Sequence, residues 1–212
     1  STSRWRAVSA CSKPCVSAAA DAVMMDRPPF FRDRVTDEQE ARRLLSFARP
    51  LTLAPKSCLW HAGDSPDLLI RVEQGLLRAR VVLADGREYI KEFYWEGDEF
   101  LDFHHLLSGE PARYSVEALE PCRLQLFQLA DLRQLSCWSA WYQHLLEVQL
   151  RIKEEKELLL LTESPQARYQ HFLDCFPALD TRVPDHQIAA YLGISPISLS
   201  RIRKRLKSLN KG

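Results

Sequence analysis

The sequence predicts an α+β fold in which antiparallel strands are followed by a long helix and a helical tail. Residues 51–127 contain short β-rich runs separated by Gly and Asp. Residues 138–162 show the pattern of one long helix, and residues 185–204 show two helices joined by a tight turn. Strand runs with turn signals about every 8–12 residues are typical of an antiparallel barrel or sandwich. We therefore expect a β unit first and helices after it.

The composition argues against a basic protein that coats nucleic acid along its whole length and against a membrane-spanning protein. Among 212 residues, 29 Lys and Arg face 28 Asp and Glu, for a net charge of +1, so a basic nucleic-acid site must be local. No run approaches the roughly 18 apolar residues that cross a bilayer, so we predict no membrane span. Six cysteines spread along a chain of this length, with no secretory leader pattern, favour reduced thiols and a cytoplasmic protein.

The first half of the chain is predicted as a leader, one helix and a set of strands. Residues 1–25 are rich in Ser and Ala without a period, and we expect a mobile leader. A capping residue, Thr36, followed by acidic residues predicts a short helix to Ala48. Asp85-Gly86 predicts a hairpin with a type I′ turn, in which both residues have positive φ. The predicted strands are 58–61, 68–72, 76–83, 87–95, 114–119 and 123–129.

Residues 138–162 are predicted to form one amphipathic helix, about 37 Å long. Its apolar stripe follows a seven-residue repeat interrupted at Glu155, and consists of Trp138, Trp141, Leu145, Val148, Ile152 and Leu159. Such a stripe packs either on the chain's own strands or on the same helix of a second copy, and the heptad spacing favours the homodimer. Ser164-Pro165 ends or kinks the helix.

The tail from Glu163 to Gly212 holds eight Lys or Arg against four acidic residues. Gly193 stands at a predicted turn, where positive φ is expected, and Ser195-Pro196 marks a helix N-cap and first turn. Apolar residues stand where two crossing helices touch: Ile188, Leu192, Ile194, Leu199 and Ile202. This pattern predicts a helix-turn-helix.

The second helix of this motif turns polar residues away from its apolar edge. At about 100° per residue, the outward face holds Ile197, Ser200, Arg201, Lys204 and Ser208. Such a face suits the DNA major groove, with Arg201 on guanine and Ile197 on a thymine methyl. Phosphate contacts are predicted for Ser195, Ser198, Arg203, Arg205 and Lys207. The alternatives are a helical hairpin with a solvated charged face, or a ligand-binding regulatory module whose tail mediates protein contacts.

From about Leu45 to Leu209 the chain resembles the Crp–Fnr family of bacterial transcription regulators. The resemblance rests on Gly63-Asp64, Gly75 and Gly97-Asp98, on the long helix, and on the tail sequence Ile-Ala-Ala-Tyr-Leu-Gly-Ile-Ser-Pro-Ile-Ser-Leu-Ser-Arg. It implies a cyclic-nucleotide-binding-like β-roll sensor domain (26–135), a dimerisation helix (136–162) and a winged helix-turn-helix (163–212). A homodimer would bind double-stranded, pseudo-palindromic DNA, and RNA polymerase is a further candidate partner. An effector would change the orientation of the DNA-binding domains about a hinge at Ser164-Pro165.

Family members that bind cyclic AMP carry a phosphate cassette of Gly-Glu followed by Arg and a small hydroxyl residue. Here Leu101 replaces the Gly, Asp102 the Glu and Tyr114 the hydroxyl residue, while Arg113 matches. Without the Gly, we predict that cyclic AMP does not bind, although these four residues remain the candidate effector pocket. Pro196-Ile197 also replaces the Arg-Glu of cyclic AMP-responsive relatives, which predicts a different operator.

Other cofactors of the family fit the sequence poorly. An iron–sulfur cluster needs four thiolates, but only Cys11 and Cys15 are close in sequence, with Cys58 and Cys122 in the β region. For haem, His104 and His105 point in diverging directions on a helix, and His61 stands separately. No phosphate loop, nucleophile elbow or metalloprotease pattern is present, so we predict a regulator without a cofactor rather than an enzyme.

Overall fold

The computed structural model describes residues 31–209, so the predicted leader lies outside the described residues. A 3-10 turn at Phe31–Arg34 precedes the first helix. The helices are α1 Glu38–Phe47, α2 Phe103–Ser108, α3 Leu129–Leu132, α4 Trp138–Thr162, α5 Pro165–Cys175, α6 Leu179–Arg182, α7 Asp185–Leu192 and α8 Pro196–Leu209. The strands are β1 Arg49–Leu53, β2 Cys58–Trp60, β3 Leu68–Gln74, β4 Leu77–Val82, β5 Glu88–Tyr94, β6 Glu99–Phe100, β7 Ser115–Ala118 and β8 Cys122–Gln128.

The strands form two four-stranded antiparallel sheets, in the orders β1-β8-β3-β6 and β2-β7-β4-β5. Alternate residues of facing strands fill the space between them, among them Trp60, Ile70, Val116 and Leu124. The expected barrel or sandwich is therefore confirmed. Strand β1 was not among the predicted runs, and it pairs with β8 from Arg49 opposite Leu126 onward.

The Asp85-Gly86 hairpin is present, but its predicted turn type is wrong. Gly86 has φ of 83°, whereas Asp85 is not among the described residues with positive φ. The Leu83 N–H donates to Arg87 O at 2.9 Å, and the Gly86 N–H donates to Leu83 O at 2.9 Å. The loop is thus one residue longer than a type I′ hairpin, and a single left-handed Gly completes the reversal.

Helix α4 spans Trp138–Thr162, the predicted residues, but its apolar stripe does not face outward. Trp141, Leu145 and Val148 are 1%, 4% and 2% exposed within a single chain. Trp141 and Leu145 pack in a core with Phe31 and Leu101. These stripe residues are therefore unavailable to a second copy, and the predicted assignment of Trp141, Leu145 and Val148 to a dimer interface is wrong.

The rest of the stripe also faces the chain's own residues, since Trp138 packs at the edge of the same core and both Ile152 and Leu159 are half-buried. On the opposite face of α4, three leucines are exposed: Leu150 by 65%, Leu158 by 56% and Leu161 by 73%. Helical phase shows which residues share a face of the helix, but it does not show which face packs on the sheet.

No helix of the described residues is long and apolar enough to cross a membrane.

The tail helices share a core with the β unit. Ile90 and Phe93 of β5 pack among tail residues that include Tyr191 of α7. Arg182 at the end of α6 donates to Glu96 Oε2 at 2.9 Å and to Glu120 Oε2 at 2.6 Å. Residues 163–209 form helices only, so within them the expected β wing is absent.

Candidate functional site

The turn and the apolar residues between α7 and α8 hold the two helices together as a helix-turn-helix. Gly193 ends α7 with φ of 65°, a left-handed conformation that costs Gly little. The Ile194 N–H then donates to Ala189 O at 3.0 Å, which reverses the chain. All five predicted contact residues lie in one core or pack against it, namely Ile188, Leu192, Ile194, Leu199 and Ile202. The predicted motif is confirmed.

The N-terminus of α8 is capped as its sequence predicts. Ser195 Oγ accepts a hydrogen bond from the Ser198 N–H at 3.1 Å, and Ser195 O accepts from the Leu199 N–H at 3.1 Å. Pro196 occupies the first helical position, where a backbone N–H would have no acceptor within the helix, so the N–H that proline lacks costs nothing. The cap orients the first turn of α8, so that Ile197 is 66% exposed.

The outward face of α8 carries the unpaired cations of the motif. Ser200, Arg201 and Lys204 are exposed, while Leu199 and Ile202 on the other face are buried. Among the described residues, none forms a hydrogen bond or ion pair with Arg201, Lys204 or Lys207. These three side chains are free to bind an external anion.

Arg203 does not share this freedom, and its predicted phosphate contact is wrong. Its guanidinium binds Asp180 Oδ1 at 2.6 Å and Asp185 Oδ1 at 3.1 Å, and it lies 5.4 Å above the ring of Tyr169. Burial and the hydrogen bond to Asp180 raise the pKa of Tyr169 to about 12. Arg203 thus ties α8 to α5, α6 and α7.

Arg205 is an intermediate case. It donates to Gln166 Oε1 at 3.1 Å but remains exposed. An exchange of this one neutral contact for a phosphate is feasible, because a charged acceptor makes the stronger hydrogen bond.

Arg168 is a structural residue that sequence reasoning missed. Its guanidinium donates to Leu160 O at 2.6 Å, to Glu163 O at 3.0 Å and to Leu192 O at 3.2 Å. One side chain therefore joins the C-terminal ends of α4 and α7 across the Ser164-Pro165 break. Ser164 caps α5 there by accepting from the Ala167 N–H at 3.2 Å.

The four residues of the predicted effector pocket do not form a cyclic nucleotide site. Leu101, Asp102 and Tyr114 are 1%, 1% and 3% exposed, whereas Arg113 is exposed. Asp102 caps α2 by accepting from the His105 N–H at 2.8 Å, and Leu101 belongs to the core beneath α4. The residues present do not fit a cyclic nucleotide.

Metal chemistry finds no site in the part of the chain that is described. No cluster of three His, Cys, Asp or Glu residues there is arranged to hold an ion. Among the described residues, Cys58, Cys122, Cys137 and Cys175 form no disulfide bond, and burial raises the pKa of Cys122 and Cys137. The His105 ring lies 3.0 Å from Glu110 O, a local contact within its loop.

Comparison with known proteins agrees with this architecture. Residues 50–136 match the family described as Cyclic nucleotide-binding domain. Among curated proteins, none matches the chain.

Three solved structures share the fold. FixK2 from Bradyrhizobium japonicum is 22% identical, with a TM-score of 0.64 over 77% of this chain and 86% of that one. CLP, a c-di-GMP responsive global regulator from Xanthomonas campestris, is 16% identical, with a TM-score of 0.61 over 82% and 93%. A transcriptional regulator of the CRP family from Thermus thermophilus, TTHB099, is 24% identical, with a TM-score of 0.57 over 76% and 85%. The predicted Crp–Fnr resemblance is confirmed at the level of fold. Two of these three structures are of proteins described as regulators, in agreement with the prediction of a regulator rather than an enzyme.

Proposed function

Starting from a chain with the Crp–Fnr fold, we propose a sequence-specific DNA-binding transcription regulator that acts in the cytoplasm as a homodimer. The observation that carries the proposal is the outward face of α8, where Arg201 and Lys204 are exposed and unpaired. Each copy would insert α8 into a major groove, and successive grooves on one side of the duplex lie about 34 Å apart. The site is therefore pseudo-palindromic.

The contacts divide by chemistry. The guanidinium fork of Arg201 matches guanine O6 and N7, and the exposed Ile197 matches a thymine methyl. Lys204, Lys207 and Arg205 stand farther along α8 and suit phosphates, which position the helix without reading sequence.

The dimer contact belongs to the exposed face of α4 rather than to the predicted stripe. Leu150 and Leu161 are 65% and 73% exposed and lie within about 20° of each other around the helix, about 16 Å apart along it. Large leucines exposed in a row on one helix mark an interaction surface. Two copies of α4 packed through this face would bring two α8 helices to one duplex.

The dimer is tested by charge on that face. The double variant Leu150→Glu, Leu161→Glu should sediment as a monomer and lose operator affinity, because each new carboxylate would be buried in the interface. Leu107→Glu is the matched control, since Leu107 is 62% exposed but lies on α2. A double variant that sediments like the wild type would contradict the α4 dimer.

DNA recognition is tested by selecting bound duplexes from a random pool. With the selected site, Arg201→Ala should lose about 1–3 kcal/mol of discrimination against random DNA. Lys207→Ala should weaken all duplexes about equally, and affinity should fall steeply between about 50 and 200 mM salt. Identical behaviour of both variants on specific and random DNA, or an affinity insensitive to salt, would favour a tail that binds protein.

The cassette geometry extends the proposal to the effector. Since Leu101 is buried and Asp102 caps α2, cyclic AMP and cyclic GMP should give no saturable heat in calorimetry, even at millimolar concentration. A micromolar dissociation constant for either nucleotide would show that the cassette opens.

A further inference from the structure

Arg182 joins the tail to the β unit through contacts that lie outside both the outward face of α8 and the Ser164-Pro165 break. Arg182 is the last residue of α6. Its partners are Glu96, in the loop after β5, and Glu120, in the turn between β7 and β8. They precede Arg182 by 86 and 62 residues in the sequence. The contact therefore connects two units of the fold rather than two turns of one helix.

The clamp, as we call Arg182, Glu96 and Glu120, engages all three nitrogens of the guanidinium. Nη1 donates to Glu96 Oε2 at 2.9 Å, and Nη2 donates to Glu96 Oε1 at 3.0 Å. Nε donates to Glu120 Oε1 at 3.1 Å, and Nη2 donates to Glu120 Oε2 at 2.6 Å. Each carboxylate thus accepts two hydrogen bonds from one planar group. Such a paired contact fixes direction as well as distance.

The two carboxylates of the clamp are mounted on turns that pack against each other. Glu96 Oε1 also accepts from the Gly75 N–H, in the turn between β3 and β4, at 2.9 Å. Gly75 has φ of 103°, and a Cβ there would come within 2.5 Å of Pro121 O, next to Glu120. The hydrogen bond from Arg182 outweighs burial and, with that from Gly75, lowers the pKa of Glu96 to about 2. The clamp is therefore charged at neutral pH and has a rigid base.

Apolar packing beside the clamp holds the same two units together. The ring of Trp95, next to Glu96, meets the ring of Phe176 after α5 edge to face, with ring centres 5.4 Å apart. The ring centres of Phe93 in β5 and Tyr191 in α7 are also 5.4 Å apart. Burial of apolar surface is not directional, so these contacts favour docking of the tail without fixing its angle. The hydrogen bonds of the clamp supply the angle.

The tail thus has two attachments on different elements. Arg168 attaches it to the end of α4, and the clamp attaches it to the β unit. One attachment would leave the tail free to turn about that point, whereas two define its orientation. Arg201 and Lys204 are exposed in this same arrangement. The clamp therefore leaves the outward face of α8 uncovered and determines where that face points.

We propose that Arg182 is a positioning residue for DNA recognition, which fixes the direction of α8 relative to the β unit. In a dimer this would fix the separation of the two half-sites that both α8 helices reach together. The effect on half-site separation rests on the proposed DNA-binding function, whereas the attachment of the tail to the β unit is measured without DNA.

Half-site spacing tests the effect on DNA binding. Duplexes carry two copies of the selected half-site, and each base pair added between them turns one copy by about 35° and moves it by about 3.4 Å. One base pair from its best spacing, the wild type should bind at least about tenfold more weakly, because both helices no longer engage together. Arg182→Met should lose less than about threefold, since its tails adapt to the new separation. Arg182→Lys, which keeps a cation without the fork, should lie between them.

Arg203→Met is the matched control. The side chains of Arg182 and Arg203 are 25% and 21% exposed, and each pairs with two carboxylates, but Asp180 and Asp185 belong to the tail itself. Arg203→Met should lower the melting temperature and keep the spacing preference of the wild type. Glu120→Gln removes half of the clamp without changing the tail, and it should widen the preference even if Arg182→Met folds poorly.

Fluorine NMR of the chain labelled with 5-fluorotryptophan tests the attachment without DNA. The chain has five tryptophans, and the signal of Trp95, identified from its loss in Trp95→Phe, reports the contact with Phe176. This signal should shift or split in Arg182→Met and in Glu120→Gln, and it should stay in place in Arg203→Met.

Three results would overturn the proposal: a Trp95 signal unchanged in both clamp variants, a wild-type spacing preference in both, or an equal widening in Arg203→Met. If the Trp95 signal moves as expected but the wild type binds no duplex, the DNA-binding function and the effect on spacing fail together. Only the attachment of the tail to the β unit then remains.

Discussion

Two regions of this molecule concentrate cations, and they do so under opposite conditions. On the outward face of α8, Arg201 and Lys204 are exposed and unpaired. Between β5 and α4, Lys156 is mostly buried, with 15% of its side chain exposed, and it lies beside Glu92. An exposed cation keeps its hydration until a phosphate replaces it, whereas a buried one depends on a fixed carboxylate. The first arrangement leaves the cations available to a long polyanion, whereas the second uses them to hold β5 and α4 together.

The largest expected effect follows from removing the shared carboxylate. Glu92→Gln removes the carboxylate that Lys153 and Lys156 share, and we expect a loss of about 3 kcal/mol in the free energy of unfolding. Urea denaturation measures it. Glu154→Gln, on the exposed side of α4, should change the value by less than about 0.5 kcal/mol. Equal effects of the two variants would mean that Lys153 and Lys156 do not depend on Glu92.

Acid titration sharpens the same point. The pKa of Glu92 is about 2 in the folded chain, below its ordinary value of 4.5. The unfolded chain therefore takes up this proton first as pH falls, so stability present above pH 4.5 is lost between pH 4.5 and 2. We expect this carboxylate to contribute about 3 kcal/mol to that loss. In Glu92→Gln, stability should fall less over this range, and an unchanged pH profile would contradict the assignment.

A smaller effect distinguishes two neighbours on α8. Arg203→Ala removes the ion pairs with Asp180 and Asp185 and should cost about 1–2 kcal/mol of stability, because Arg203 is 21% exposed and its carboxylate partners lose their cation. Thermal unfolding gives the comparison. Discrimination between the selected site and random DNA should persist in this variant.

The smallest expected change in stability belongs to Arg201→Ala. With no internal partner to lose, its melting temperature should stay close to that of the wild type, although DNA discrimination falls. A large destabilisation would mean that Arg201 makes stabilising contacts within the chain, and the cations of α8 would then not differ from the buried lysines in this respect.

Local pattern was enough to predict much of the fold. The heptad spacing predicted α4, and Ser195-Pro196 with Gly193 predicted the cap and turn of the helix-turn-helix. These features depend on residues within one or two helical turns. Strand β1 was not predicted, because Pro50 interrupts a run with weak β propensity and because the strand pairs with β8, which is distant in sequence.

Contacts between distant segments were not predictable in the same way. Glu92 and Lys153 are 61 residues apart, and Arg182 and Glu96 are 86 apart, so no spacing rule relates them. Arg203 was misassigned although Asp180 and Asp185 stand in the preceding helices. The presence of Asp180 and Asp185 in the sequence indicated that a nearby cation would be paired within the chain, but only the fold shows that this cation is Arg203.

The three carbonyls that Arg168 holds have a mechanical consequence. A pivot at Ser164 that moved α5 and α7 together would pull Arg168 away from the last turn of α4 and break its bond to Leu160 O. Bending the long helix upstream of Leu160 leaves all of them intact. The helix-turn-helix of α7 and α8 would therefore move together with the last turn of α4.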